Sequence, residues 1–417
     1  MTRKPPPKSA VTHATGLVGL AGLIAAIFAA TGAGWPMGKT ILLFLMAPAA
    51  SMIAWELLVA RAHRRAGTGL DFDRPAPLPA SLRRTAVKLA GLWGTWLGIG
   101  LFYWSLRTYG TGAYGLYLAF LVRLLPMLVW LSVIYVLVID RYSSDPEDGC
   151  WHTGNLFIGR WSRVNRDKVT DFLLSWLIKA FFLPFMVSIL PGNIEYLLAR
   201  PLSAVLGDAV LLAAWSVNAV LLIDLCFGAL GYIFTLRFIG THIRSANPYL
   251  SAWVAALVCY PPFILMGSGG PLDYRDGLEW SFWLERNQVA LWLCGGAVVL
   301  LTAFYTWATV IFGLRFSNLT HRGIITNGPY RFTKHPAYIS KNIAWWLVQL
   351  PFLATAGAEV AARNCLLLLL VNLIYYIRAK TEEKHLLGDP VYREYAEWID
   401  ENGLAARITA RISSARN

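Results

Sequence analysis

Two short polar stretches hold most of the residues in this sequence that could do chemistry. The first is Asn327-Gly-Pro-Tyr-Arg-Phe-Thr-Lys-His-Pro-Ala-Tyr338, and the second is Arg378-Ala-Lys-Thr-Glu-Glu-Lys-His-Leu-Leu387. Gly328-Pro329 opens a turn. Pro336 has no N–H to donate and suits a first helical position, which puts His335 at the helix start. Tyr338 and Asn342 then follow on the same helix face. A helix start with free N–H groups attracts an anion such as a carboxylate, and Arg331 and Lys334 add positive charge beside it. Glu382 and Glu383 attract a cation. Taken separately, each stretch has an ordinary explanation. A His-Pro pair can simply begin a helix, and the two glutamates can pair with Lys380 or Lys384 on a solvated helix end.

The surrounding chain decides how these stretches are positioned. Its 417 residues are 56% hydrophobic and 15% charged, with a mean hydropathy of +0.49. A soluble domain carries roughly 25% charged residues. The apolar runs are helix-length, unlike the ~10-residue alternating segments of an outer-membrane barrel. The fold class is therefore all-α, a polytopic membrane protein of about ten transmembrane helices. The expected spans are 16–33, 39–60, 87–106, 113–139, 170–190, 203–236, 249–267, 287–313, 339–357 and 359–377. The net charge of +13 comes largely from basic loops between apolar runs, which argues against a nucleic-acid partner. Those loops include the N-terminus (Arg3, Lys4, Lys8), Arg61–Lys88, Arg141–Lys168, Arg237–Arg244 and Arg315–Lys334. With ten spans they all fall on one side, so both termini and both polar stretches are expected to be cytoplasmic. The five scattered cysteines contain no C-x-x-C, and no metal site is expected.

The last two spans must be antiparallel neighbours, because only a short turn joins them. The start of one therefore meets the end of the other at the cytoplasmic surface. An anion-binding helix start facing two carboxylates suits a zwitterionic amino-acid group, such as that of S-adenosylmethionine. At this point the motifs, taken in order, resemble a known family. Gly328-Pro-Tyr-Arg-x-x-Lys334-His-Pro-x-Tyr338, then Glu382-Glu-x-x-Leu386, then Tyr392-x-x-Tyr395 is similar to the isoprenylcysteine carboxyl methyltransferase and phospholipid methyltransferase superfamily of integral membrane enzymes. The similarity covers about the last 110 residues. It implies S-adenosylmethionine as cofactor, bound by Tyr330, His335, Pro336, Tyr338, Glu382 and Glu383, with Arg331 and His335 as catalytic residues. The sequence departs from the family pattern at Lys334 (usually Arg), at Ser340 (usually Gly) and at Leu387-Gly-Asp-Pro390.

Two other features bear on function. Gly154-Asn-Leu-Phe-Ile-Gly-Arg160 is similar to a loop of membrane sterol reductases. Charges within apolar stretches (Glu56, Arg123, Lys179, Asp208, Asp224) are costly in hydrocarbon unless paired, so Asp224 is expected either to meet Arg123 or Lys179 or to line a headgroup cavity. The tail helix around Tyr392–Ile399 is amphipathic and is expected to lie on the membrane surface. The reading that follows divides the chain into a transmembrane module at 1–240 and a methyltransferase-like core at 241–417. Methyl transfer would go to a lipophilic or membrane-embedded acceptor, an isoprenoid carboxylate or a lipid headgroup, at the cytoplasmic face; no residue clearly serves as a base, which leans towards a carboxylate or a neutral amine. An NADPH-dependent membrane reductase and a non-enzymatic transporter or scaffold are the alternatives.

Overall fold

The computed structural model describes residues 5–106, 112–200 and 202–416, so Arg3 and Lys4 of the basic N-terminus lie outside the described residues. The chain is almost wholly helical. In order, the helices are α1 (His13–Ala30), α2 (Met37–Ala54), α3 (Leu78–Ser105), α4 (Gly115–Tyr142), α5 (Gly149–Phe157), α6 (Arg166–Leu198) and α7 (Ala209–Ile233). They continue as α8 (Leu250–Leu257), α9 (Trp280–Trp283), α10 (Gln288–Val310), α11 (Pro336–Gln349), α12 (Ala358–Leu386), α13 (Pro390–Asn402) and α14 (Leu404–Arg416). Among the described residues, eight helices are long and apolar enough to cross a membrane: α1, α2 with its extension to Val59, α3, α4, α6, α7, α10 and α12.

Two of the ten expected spans differ from the expectation. The 249–267 segment is helical only over the 8 residues of α8, and the 339–357 segment only over the 14 residues of α11. At 1.5 Å per residue these rise about 12 and 21 Å, short of the ~30 Å of a hydrocarbon core. The cause is local. Pro261-Pro262 follows α8 and cannot supply helical N–H donors. Leu350 ends α11 in the left-handed conformation at φ 41°, and Pro351 follows it. Apolar composition is retained in both segments, but the helix is not.

Side chains of the sequence itself start several helices. Asp148, Asn165, Asp208, Asn287 and Asp389 each accept hydrogen bonds from backbone N–H groups in the first turn of α5, α6, α7, α10 and α13. The main core lies where α1, α2, α6 and α7 meet the end of α10. It includes Leu23, Ile41, Met52, Ile178, Phe182, Phe227, Leu230 and Leu314. α7 packs along both α6 and α10, so the helices preceding residue 240 are continuous with those that carry the polar stretches. A two-residue antiparallel ladder, β1 (Ser245–Ala246) on β2 (Thr320–His321), ties the loop after α7 to the loop before Asn327. Beneath it the buried Arg322 guanidinium donates to the carbonyls of Gly231, Phe316, Leu314 and Thr241. That one side chain satisfies carbonyls left over at the end of α7 and after α10.

Candidate functional site

The Asn327–Arg331 segment is a tight turn held on three sides. Gly328 sits at φ +57°, and a Cβ there would lie 3.0 Å from Ile311 Cγ1. On one side the N-terminal segment lies against the turn: Ala10 N–H donates to Ile324 O (2.8 Å), Thr326 Oγ1 to Pro7 O (2.6 Å) and Asn327 Nδ2 to Val11 O (2.8 Å). On another, α13 turns Tyr392, Tyr395, Trp398 and Ile399 inwards against Ile324 and Tyr330. The Tyr395 hydroxyl donates to Tyr330 O at 2.8 Å. The amphipathic face of the tail helix is therefore buried on this turn, which corrects the expectation that it lies on the membrane. On the third side the Tyr330 ring packs edge-on against Phe312, 5.3 Å between centroids. Burial, and then the nearby Glu382 carboxylate, push the Tyr330 phenol well above its ordinary value, so it keeps its proton.

α11 begins at Pro336, with His335 in the flanking position and no side chain capping the helix. From there α11 and α12 run antiparallel, and their polar contacts show it: partner numbers fall along α12 as they rise along α11. His335 Nε2 meets Glu383 Oε1 at 2.9 Å, and the Tyr338 hydroxyl donates to Glu382 Oε2 at 3.1 Å. Further along the hairpin, Asn372 donates to Asn342 Oδ1 at 2.6 Å and accepts from Trp346 Nε1 at 2.8 Å. The rings of His335 and Tyr338 stack, 5.5 Å apart and 5° from parallel. Lys380 holds the other Glu383 oxygen at 3.0 Å. Arg378, buried, lies 5.2 Å from the Tyr338 ring centroid, 5.0 Å from that of Tyr375 and 5.7 Å from that of Tyr260.

The hairpin thus brings His335, Tyr338, Glu382 and Glu383 together, with Tyr330 behind them. Pro336 is buried and serves as the first helical residue. Arg331 is exposed at the end of the turn and makes no side-chain hydrogen bond or ion pair among the described residues. Lys334 pairs with Asp400 at 2.8 Å, so it fastens α13 to the turn. Sequence reasoning passed over Arg378, Tyr375 and Lys341. Lys341 lies one helical turn beyond Tyr338, its ammonium 5.2–5.5 Å from the ring centroids of Trp345, Tyr305 and Tyr375. The signal was available, since Lys341 is a charge inside an apolar run, three residues from Tyr338.

Asp224 does not pair with Arg123 or Lys179. It accepts from the Tyr305 hydroxyl at 2.7 Å and the Thr309 hydroxyl at 2.5 Å, both on α10. Lys179 instead donates to Thr235 Oγ1 at 2.6 Å, Asp208 caps α7, and Arg123 is exposed on α4. Glu56 is buried between Thr15, at 2.7 Å, and Arg315, at 3.8 Å. The Gly154–Arg160 stretch has a packing explanation: a Cβ on Gly154 would fall 1.9 Å from Val87 O, so the glycine lets α5 approach α3.

With this geometry in view, comparison with known proteins gives one match. No curated protein and no solved structure matches the chain. Residues 289–388, which run from the start of α10 to just past the end of α12, match the family described as Isoprenylcysteine carboxyl methyltransferase (ICMT) family, so this C-terminal segment of the chain is similar to that family of methyltransferases.

Proposed function

We propose that the chain transfers a methyl group from S-adenosylmethionine to a lipophilic or membrane-embedded acceptor, at the cytoplasmic face of the membrane. The observation that carries this reading is the pairing of the α11 start with the α12 end, His335 to Glu383 and Tyr338 to Glu382, inside the segment that matches the family. The residues fit the cofactor. No side chain caps α11, so its first N–H groups are available to a carboxylate, with the exposed Arg331 close by. Glu382 and Glu383 supply the opposite charge for an ammonium and a sulfonium. When bound, the cofactor supplies an electrophilic methyl carbon.

The chain's own part is to bind and align. Arg331 and the start of α11 hold the anionic end. Glu382 takes the cationic end, with Tyr338 fixing its orientation. Glu383 keeps His335 turned towards the hairpin. The acceptor arrives from the bilayer side between α10, α11 and α12. Holding two reactants in line removes much of the barrier to a displacement of this kind. The helices before residue 240 shape the acceptor side of the site.

Calorimetric titration of the purified protein with S-adenosylmethionine tests the reading. Saturable heat is expected, lost in His335→Ala and Glu382→Ala. Heat with NADPH and none with S-adenosylmethionine would support a reductase instead. Heat with neither, together with unchanged function in both variants, would support a transporter or scaffold.

A further inference from the structure

Asp224 is a carboxylate inside an apolar, membrane-length helix with no basic side chain hydrogen-bonded to it among the described residues. Both its oxygens accept from hydroxyls, Oδ2 from Tyr305 at 2.7 Å and Oδ1 from Thr309 at 2.5 Å. With both oxygens accepting, the carboxyl is placed to act as a carboxylate, which only accepts. Tyr305 and Thr309 lie one turn apart on α10, within the family-matched segment, whereas Asp224 comes from α7, outside it. The Tyr305 ring is linked to the proposed site through Lys341. Lys341 bridges it to Tyr375, whose ring packs 5.6 Å from that of Tyr338, which in turn holds Glu382. A continuous line of contacts therefore joins the cofactor carboxylate to a second carboxylate on α7.

We propose that Asp224, acting through the Tyr305 hydroxyl, is the proton acceptor of the methyl transfer, and that the acceptor is a lipophilic alcohol or phenol. The inference rests on the methyl-transfer reading above. A carboxylate acceptor loses no proton on methylation and needs no base, whereas a hydroxyl does. An ammonium acceptor is disfavoured by its surroundings. Lys341 and Arg378 both face Tyr375, and two cations would repel a third while stabilising a developing oxyanion. In the step, the acceptor oxygen forms a bond to the methyl carbon and the C–S bond breaks, its electron pair returning to sulfur as a thioether. The hydroxyl proton passes to the Tyr305 oxygen as Tyr305 gives its own proton to Asp224. Tyr305 is then a catalytic residue, and Asp224 acts through it.

The test uses the full chain in detergent or nanodiscs, with methyl-tritiated S-adenosylmethionine and a total lipid extract of the source membranes as the acceptor probe. Mild alkali releases a methyl ester as volatile methanol and leaves an ether intact, and a cation exchanger retains an N-methyl product. The expected result is an alkali-stable product that does not bind the exchanger. Asp224→Asn, which keeps a hydrogen-bonding group of the same shape, is expected to lower turnover on the order of a hundredfold with cofactor KM and calorimetric affinity unchanged. Tyr305→Phe keeps the ring over Lys341 and should lose a similar factor; it decides the question if Asp224→Asn does not fold. An alkali-labile product, an N-methyl product, or near-normal turnover in both variants would overturn the proposal while leaving methyl transfer in place. Absence of both cofactor heat and label incorporation in the unaltered protein would overturn the methyl-transfer reading, and this inference with it.

Discussion

Glu383 divides its two carboxylate oxygens between His335 and Lys380, whereas Glu382 accepts one hydrogen bond, from Tyr338. Under the proposed function the adjacent glutamates therefore have different work. Glu382 has capacity left for a ligand cation, and Glu383 is largely spent on orienting His335. A hydrogen bond to a charged group contributes roughly 1.5–3 kcal/mol, so Glu382→Gln should weaken S-adenosylmethionine binding about ten- to a hundredfold. Glu383→Gln should cost less affinity, and the reverse order in a titration would show that the roles are exchanged. His242 offers a second test at this scale. Burial, then Arg237 and Arg244, hold its pKa down at about 3, against about 6.5 in an unfolded chain. Between those values the unfolded state binds the extra proton, so stability falls as pH falls from about 6.5 towards 3. The melting temperature should drop between pH 7 and pH 5, and His242→Gln should flatten that drop. The residues of the two polar stretches were legible because Pro336 and the adjacent acids mark local positions. The partner of Asp224 was not. Counting charges suggests a charged partner, but two hydroxyls one turn apart on α10 took that place.

α11 shows what hydropathy reads and what it omits. The 339–357 window is apolar throughout most of its length, yet the helix stops at Gln349 because Leu350 turns left-handed before Pro351. The same happens after α8, where Pro261-Pro262 breaks an apolar run. The proline signals were present in the sequence; a window average dilutes them. The antiparallel pairing of α11 with α12 was legible, since a short turn leaves no other arrangement. That α13 folds back on the motif turn was not, because an amphipathic face fits a membrane surface and a protein surface equally well. The structure decides between them by burying Tyr395 and Trp398 against Tyr330 and Ile324. Gly328 is the tightest point of that turn. Gly328→Ala forces a side-chain residue to φ +57° and crowds Ile311, at an expected cost of about 1–3 kcal/mol. A thermal melt should show a clear decrease, with cofactor affinity falling alongside it. An unchanged melt would mean the turn relaxes at no cost.

At the scale of the whole molecule, the cofactor half of the proposed site is assembled from both ends of the chain. The matched segment supplies α10, α11 and α12, yet its motif turn is pinned by residues more than three hundred positions away, through Thr326 to Pro7 and Asn327 to Val11. Val11 also packs with Ile311 and Ile325, and Arg65 donates to Ala10 O at 3.2 Å, tying the same segment to the chain after α2. The basic N-terminus gave no sign of this contact in the sequence, because pairing at that separation leaves no local pattern. Its position gives the segment before α1 a part in holding the turn. Net hydrogen bonds contribute roughly 0.5–1.5 kcal/mol each, so the three that reach Ile324, Thr326 and Asn327 amount to about 2–4 kcal/mol of local order. Residues 5–11 precede α1 and belong to no helix, so deleting residues 1–11 removes no helical residue among those described. The expected outcome is unchanged helix content, faster hydrogen exchange confined to 324–332, and cofactor affinity lowered at least tenfold, because the start of α11 is set by the turn that precedes it. Exchange at 324–332 no faster than in the full chain would show that α13 and Phe312 hold the turn unaided. In that case the N-terminal segment would be a passenger on the site.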